Sequence, residues 1–158
     1  MFRKMRRFKQ EISEEECIGI LSSEPRGILS VNGDGGYPYA FPISHYFCKN
    51  DGHIYFHCAK EGHKTDSIEK DDRVCFCVHD SGYRNEGEWA LNIKSVIVFG
   101  RIKKVTDEEK IKDILKNLGY KFTSDEEYIT KEIRDNINRV QILELVPEHI
   151  TGKKVNES

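Results

Sequence analysis

Apolar and polar residues alternate with a period of two in six stretches of this chain, and recur near every fourth position in a few others. The alternating runs predict strands at RGILSVN (26–32), YPYAFPISHYFCK (37–49), HIYFHC (53–58), RVCFCVH (73–79), NIKSVIVFGRIKKV (92–105) and VQILELV (140–146). GDGG joins the first two and NDG joins the second to the third, turn chemistries that connect consecutive antiparallel strands. Three helix starts share a Ser or Thr followed three residues later by Glu: Ser13 with Glu16, Thr106 with Glu109, and Ser124 with Glu127. Behind the first, Cys17, Ile18, Ile20 and Leu21 form one apolar face. Behind the second come Ile111, Ile114, Leu115 and Leu118, with Gly119 read as a left-handed stop. The third carries only a narrow stripe, Ile129, Ile133 and Ile137, and is expected to lie on the surface.

Six short antiparallel strands with helices at the ends and in two connections predict a mainly β fold. The expected architecture is a six-stranded antiparallel split or closed β-barrel with helices packed outside. Pro42 inside the second strand predicts an edge, a bulge or a mouth, because proline removes a ladder donor. A chain of 158 residues has room for one domain, here with a basic arm over 1–10 and a flexible tail over 153–158.

Composition narrows the setting. No apolar run approaches the length of a membrane span, and MFRKMRRFKQ is not followed by the apolar segment of a secretory signal, so a cytoplasmic protein is expected. Five cysteines cannot all pair and read as free thiols. A formal net charge of −2 offers nucleic acid no global attraction, and the basic arm reads as a solvated tail or a strap across a partner.

The stretch IYFHCAKEGHKTDSIEKDDRVCFCV (54–78) places a short charged helix between two strands. A helix N-terminus offers unpaired N–H groups and a partial positive charge, so Gly62, His63 and Lys64 at this start can hold a phosphate. Gly62 permits close approach, while His63 and Lys64 add donors. Ile68 is the one large apolar residue of this helix, too little to explain it as a core element. A solvated turn with a charged helix is the plain alternative.

The succession GYPYAFPISHYF, Y-F-H-x-A, G-x-K with a short helix, SVIVFGRIKKV and ITGK resembles the FMN-binding split-barrel proteins related to pyridoxamine phosphate oxidase. Within them it is most similar to the nitroimidazole-resistance branch. The resemblance implies a homodimer with FMN at the subunit interface and the phosphate held by Gly62, His63 and Lys64. It further implies that His57, Cys58 and Ala59 line the flavin from a strand end, and that Pro42, Ile43 and Ser44 pass beside its ring. Trp89 and Ser95 are candidates for contacts near the ring or the partner. His57 is the candidate catalytic residue, an imidazole placed to deliver a proton as the flavin passes electrons onward. The arginine-rich ending with which pyridoxamine phosphate oxidases grip substrate is missing from VPEHITGKKVNES, which argues against vitamin B6 oxidation.

A competing reading gathers His57, Cys58, His63, Cys75, Cys77 and His79 as metal ligands. Against it, there is no C-x-x-C pair, and His57 and Cys58 point to opposite faces of one strand, so no metal is expected. Two functions follow: an oxidoreductase reducing a small acceptor such as a nitroaromatic or quinone, or a non-catalytic protein that binds, stores or senses flavin or haem.

Overall fold

The computed structural model describes all 158 residues. Its strands are β1 (Arg26–Asn32), β2 (Pro38–Cys48), β3 (His53–Ala59), β4 (Arg73–His79), β5 (Leu91–Val105) and β6 (Val140–Glu157). All pairings are antiparallel, and the barrel closes in the order β1-β2-β3-β6-β5-β4. Helices α1 (Glu14–Ser23), α2 (His63–Lys70), α3 (Glu108–Tyr120) and α4 (Glu126–Asn136) pack around it. None of them is long and apolar enough to cross a membrane.

Alternation decides what the barrel holds. Inward positions supply Leu29, Phe47, Ile54, Phe56, Phe76 and Leu143, all buried, while their sequence neighbours face out. Of the apolar run SVIVF, only Val96 and Val98 enter the core; Ile97 and Phe99 lie on the outer surface. Cys17, Ile20 and Leu21 of α1 join this core from one side. A second cluster, Tyr55, Val105, Ile114, Leu118 and Ile142, seats α3 on the outside of the wall.

Helix caps follow the sequence at one end and depart from it at two others. Ser13 and Glu16 form the reciprocal cap of α1. For α3 and α4 the caps fall one residue later than expected: Asp107 accepts from the Lys110 N–H and Asp125 from the Tyr128 N–H. Aspartate accepts such bonds as well as Ser or Thr and adds its charge at the positive end of the helix. Gly119 is not a left-handed stop. It lies inside α3, where an added Cβ would stand 3.1 Å from Ile129 Cγ1, so its smallness lets α4 approach.

Three further expectations are corrected. Residues 153–157 are not a flexible tail, because β6 continues through Pro147 and pairs Lys153 to Glu157 with Ser95 to Leu91 of β5. This long ladder carries a register shift at Phe99/Gly100, where a Cβ on Gly100 would stand 2.3 Å from the Val146 carbonyl oxygen. The basic arm is not wholly solvated: Phe2 stacks on His149 at 4.8 Å and on Phe99 at 5.6 Å. And α2 is more than a presenting device, since Thr65, Ser67 and Ile68 are all buried and Ile68 belongs to the main core.

His45 is the one imidazole wholly inside the barrel, donating from Nε2 to the Leu21 carbonyl at 2.7 Å, with Nδ1 unpartnered. Burial, and then the charge of Lys121, lower its pKa to about 4. A base whose folded pKa is depressed leaves the unfolded chain binding more protons as pH falls, so stability is retained above about pH 6.5 and lost between there and about 4. Denaturant titrations should lose roughly 3 kcal/mol across this window. In His45→Gln the greater part of that slope should disappear; an unchanged slope contradicts the assignment.

Candidate functional site

Pairing between β2 and β3 stops early. The two strands are in register from Cys48/His53 to His45/Phe56, and beyond that point β2 continues against β1 alone while β3 continues against β6 to Ala59. A gap opens in the wall, with residues 41–44 on one side and 57–59 on the other. Pro42 sits on this lip, where on the β3 side there is no ladder for it to interrupt.

The chain leaving β3 turns directly into α2 at the end of the gap. Gly62 is the N-cap, at φ 136° and ψ 177°, a backbone region open essentially to glycine. It offers no side chain, and no other side chain caps the helix. Thr65 Oγ1 donates to the Gly62 carbonyl at 2.8 Å and Asp66 N–H closes the first backbone turn onto the same oxygen. The N–H groups of His63, Lys64 and Thr65 are left pointing out of the helix end. Nothing lies within 4 Å of the position a Gly62 Cβ would take. These donors converge on open space.

Lys64 adds the charge. Its ammonium lies 4.7 Å above the centre of the Phe41 ring and engages no carboxylate, whereas nearby Lys70 is bound to Asp34 at 3.0 Å. His63 is differently placed from expectation: its ring stacks on Tyr39 at 4.1 Å, with Nε2 3.7 Å from an Asp34 oxygen. Its backbone N–H remains available, but its side chain braces the turn. His57 faces outward on β3, and its pKa is lowered first by neighbouring groups that displace water and then by Lys64, although the side chain still reaches solvent.

Sequence-derived residues thus fall into three sets. Pro42, Ser44, His57, Ala59, Gly62, His63 and Lys64 border the gap or its end. Ile43 and Cys58 border it only through their backbones, since their side chains are 7% and 8% exposed and lie in the core. Burial accordingly pushes the Cys58 thiol up, making it a poor nucleophile. Ser95 and Trp89 are not brought to the gap within one chain, because β5 is separated from β3 by β6 and from β2 by β1 and β4. Tyr39 and Phe41, which form the wall beneath His63 and Lys64, were missed. Their signal was present in the alternation of β2, which fixes Phe41 as inward, but nothing local ties Tyr39 to His63.

The residues weighed as metal ligands do not converge. Cys75 and Cys77 share the outer face of β4, in register with Phe99 and Ile97. The close group of potential ligands is elsewhere: Asp51, His53 and Glu144. There, burial alone would raise the Glu144 carboxyl, but hydrogen bonds from His53, Tyr55 and Lys110 outweigh it and hold the pKa at about 2. This network anchors the β2–β3 turn and α3 to the wall.

The fold is a six-stranded antiparallel split barrel with an uncapped helix end at the opening. The chain matches the family model described as pyridoxamine 5'-phosphate oxidase over residues 13–154, and it belongs to that family. Solved structures share the fold at low identity. A candidate 5-nitroimidazole antibiotic resistance protein from Bacteroides thetaiotaomicron is 17% identical, with a TM-score of 0.77 over 92% of this chain and 87% of that one. An FAD binding protein from Mycobacterium smegmatis is 19% identical, with a TM-score of 0.67 over 94% of this chain and 99% of that one. An FAD and haem binding protein from the same organism is 21% identical, with a TM-score of 0.73 over 95% of this chain and 74% of that one. No curated protein matches the sequence.

The Gly62 geometry makes its own prediction. In Gly62→Ala the new methyl meets no neighbour, so any loss is conformational. Stability should fall by about 1–3 kcal/mol in thermal or denaturant unfolding. An unchanged midpoint would mean that the turn relaxes to a φ any residue adopts.

Proposed function

We propose that this protein binds FMN in the β2–β3 gap of each subunit of a homodimer and passes electrons to a small acceptor such as a nitroaromatic or quinone. The observation that carries the reading is a coincidence of place: the wall stops pairing where a helix presents three free N–H groups and an unpaired lysine. Family membership and relatives named for FAD binding support a flavin as the ligand with that anionic end.

The residues present fit the group. The N–H groups of His63, Lys64 and Thr65 hold the phosphate, with Lys64 Nζ supplying the full charge and Gly62 the clearance. Pro42, Ser44 and Ala59 would border the ring, while Ile43 and Cys58, paired through their backbones with Gly27 and Gln141, carry the two strands past it. When bound, the flavin supplies the redox chemistry, and the protein positions it. His57, with its pKa lowered by displaced water and then by Lys64, would act as a relay: the neutral ring would take a proton from water and, as the more acidic imidazolium, pass it to an acceptor.

The second copy covers an outer face that one chain leaves open. Ile28, Cys77 and Ile97 stand in register across β1, β4 and β5, with Ile28 42% exposed and Phe99, one step along, 38% exposed. Trp89, 76% exposed, lies in the loop leading into β5. In this arrangement Trp89 and Ser95 reach the ring from the other subunit, which accounts for their distance from the gap within one chain. Sedimentation should give a dimer, and a monomeric flavin-loaded protein would contradict the arrangement.

The freshly purified protein should show oxidised-flavin absorption and release FMN, about one per chain, on denaturation. Lys64→Ala should weaken FMN binding by about 1.5–3 kcal/mol without changing the unfolding midpoint of the flavin-free protein. A colourless protein that takes up no FMN refutes the reading. Bound flavin that reoxidises no faster with any acceptor than free FMN would instead make the protein a flavin carrier.

A further inference from the structure

We propose that the cleft enclosed by α3, α4 and the Ile137–Arg139 turn is a second binding site, for a flat, largely apolar organic molecule carrying one carboxylate-like or sulfonate-like group. The cleft has a volume of about 550 Å³, within the range of small-molecule sites. Its walls are Leu118, Ile133, Ile137, Phe122 and Tyr128. Phe122 and Tyr128 are 52% and 56% exposed, with the Arg26 guanidinium 5.8 Å from the centre of the Phe122 ring, so two large rings remain partly open to water inside a concave surface. Covering such rings with a flat apolar molecule is favourable in proportion to the area removed from water.

Charge at the rim selects the ligand's polar end. On and beside α4, Lys131 pairs with Asp135 at 2.9 Å and Lys116 with Glu126 at 3.7 Å, so these two lysines are already engaged. Arg139, on the rim, forms no ion pair, and its planar guanidinium suits two oxygens of one anionic group. Glu132 on the same rim accepts from the Asn136 amide at 3.2 Å and opposes a second negative charge on the ligand. The site therefore favours a single anionic group on an apolar body over a polyanion such as a nucleotide.

At its inner end the cleft meets His57, the one residue it shares with the β2–β3 gap. Apart from His57 the two sites have different linings, with Arg139 and Arg26 at this one and Lys64 at the other. Occupancy of the cleft does not require flavin.

The test is fluorescence titration of the full-length protein with 8-anilinonaphthalene-1-sulfonate, run without flavin and again with FMN present. Saturable uptake of one dye per chain is expected in both. Arg139→Glu should weaken it about tenfold, and Ile133→Trp, which fills the cleft, should abolish it. N-phenyl-1-naphthylamine, which has the same rings without the sulfonate, should bind wild type and Arg139→Glu alike. Dye uptake indifferent to both substitutions places the dye on another apolar surface and overturns the proposal. So does an absence of uptake, whether or not Ile133→Trp then shifts the protein from dimer to monomer. If FMN is not bound while the dye still responds to Arg139, the flavin reading fails and the cleft stands.

Discussion

The early end of the β2–β3 ladder at His45/Phe56 is the constraint on which the rest of the molecule depends. A closed barrel satisfies its backbone by giving every strand two neighbours. Here β2 keeps β1 and β3 keeps β6, but their mutual edge is released for the length of Pro42–Ser44 and His57–Ala59. Released edges are costly in a sheet unless something occupies them. The break also lets the chain leave β3 sideways and enter α2 with its first turn aimed at the opening. Two structural irregularities, an unpaired edge and an uncapped helix, thereby serve one place.

Around that place the protein separates bracing from function. His63, Tyr39, Asp34 and Lys70 are engaged with one another, and Ile68, Thr65 and Ser67 root α2 in the core. Lys64 is left over, without an anionic partner, above Phe41. The same division recurs along the outer face of β3, where Asp51, His53, Tyr55, Glu144 and Lys110 satisfy one another, while His57 two residues along makes no such bond. Residues that complete local networks hold the frame; those left incomplete mark the surfaces where a ligand has something to add.

Much of this was legible in the chain. Period-two alternation located all six strands because each has one face in the core and one outside, and β4 matches its predicted limits residue for residue. The start of α2 behind Gly62 was legible because a glycine before a charged helical stretch marks a break in the chain. What escaped depends on contacts distant in sequence. The continuation of β6 past Pro147 follows from β5 being long enough to pair with it, which local pattern cannot reveal. Gly119 looked like a helix stop because its use, making room for Ile129, lies on another helix. Cys58 and Ile43 were placed beside the flavin by the family resemblance; the alternation of their strands turns their side chains into the core. The α3–α4 cleft was invisible because Ile129, Ile133 and Ile137 gave only a stripe, with no sign of what the stripe faced.

If α2's first turn and Lys64 form a phosphate site at the mouth of the split, the phosphate dominates flavin affinity. Comparing FMN with riboflavin by isothermal titration of flavin-free protein tests it most directly, since the two ligands differ only in the phosphate. Several charge-assisted hydrogen bonds predict that FMN binds at least about a hundredfold more tightly, with an advantage that shrinks as salt is added. Equal affinities for the two would contradict the claim, and with it the role of the uncapped helix end.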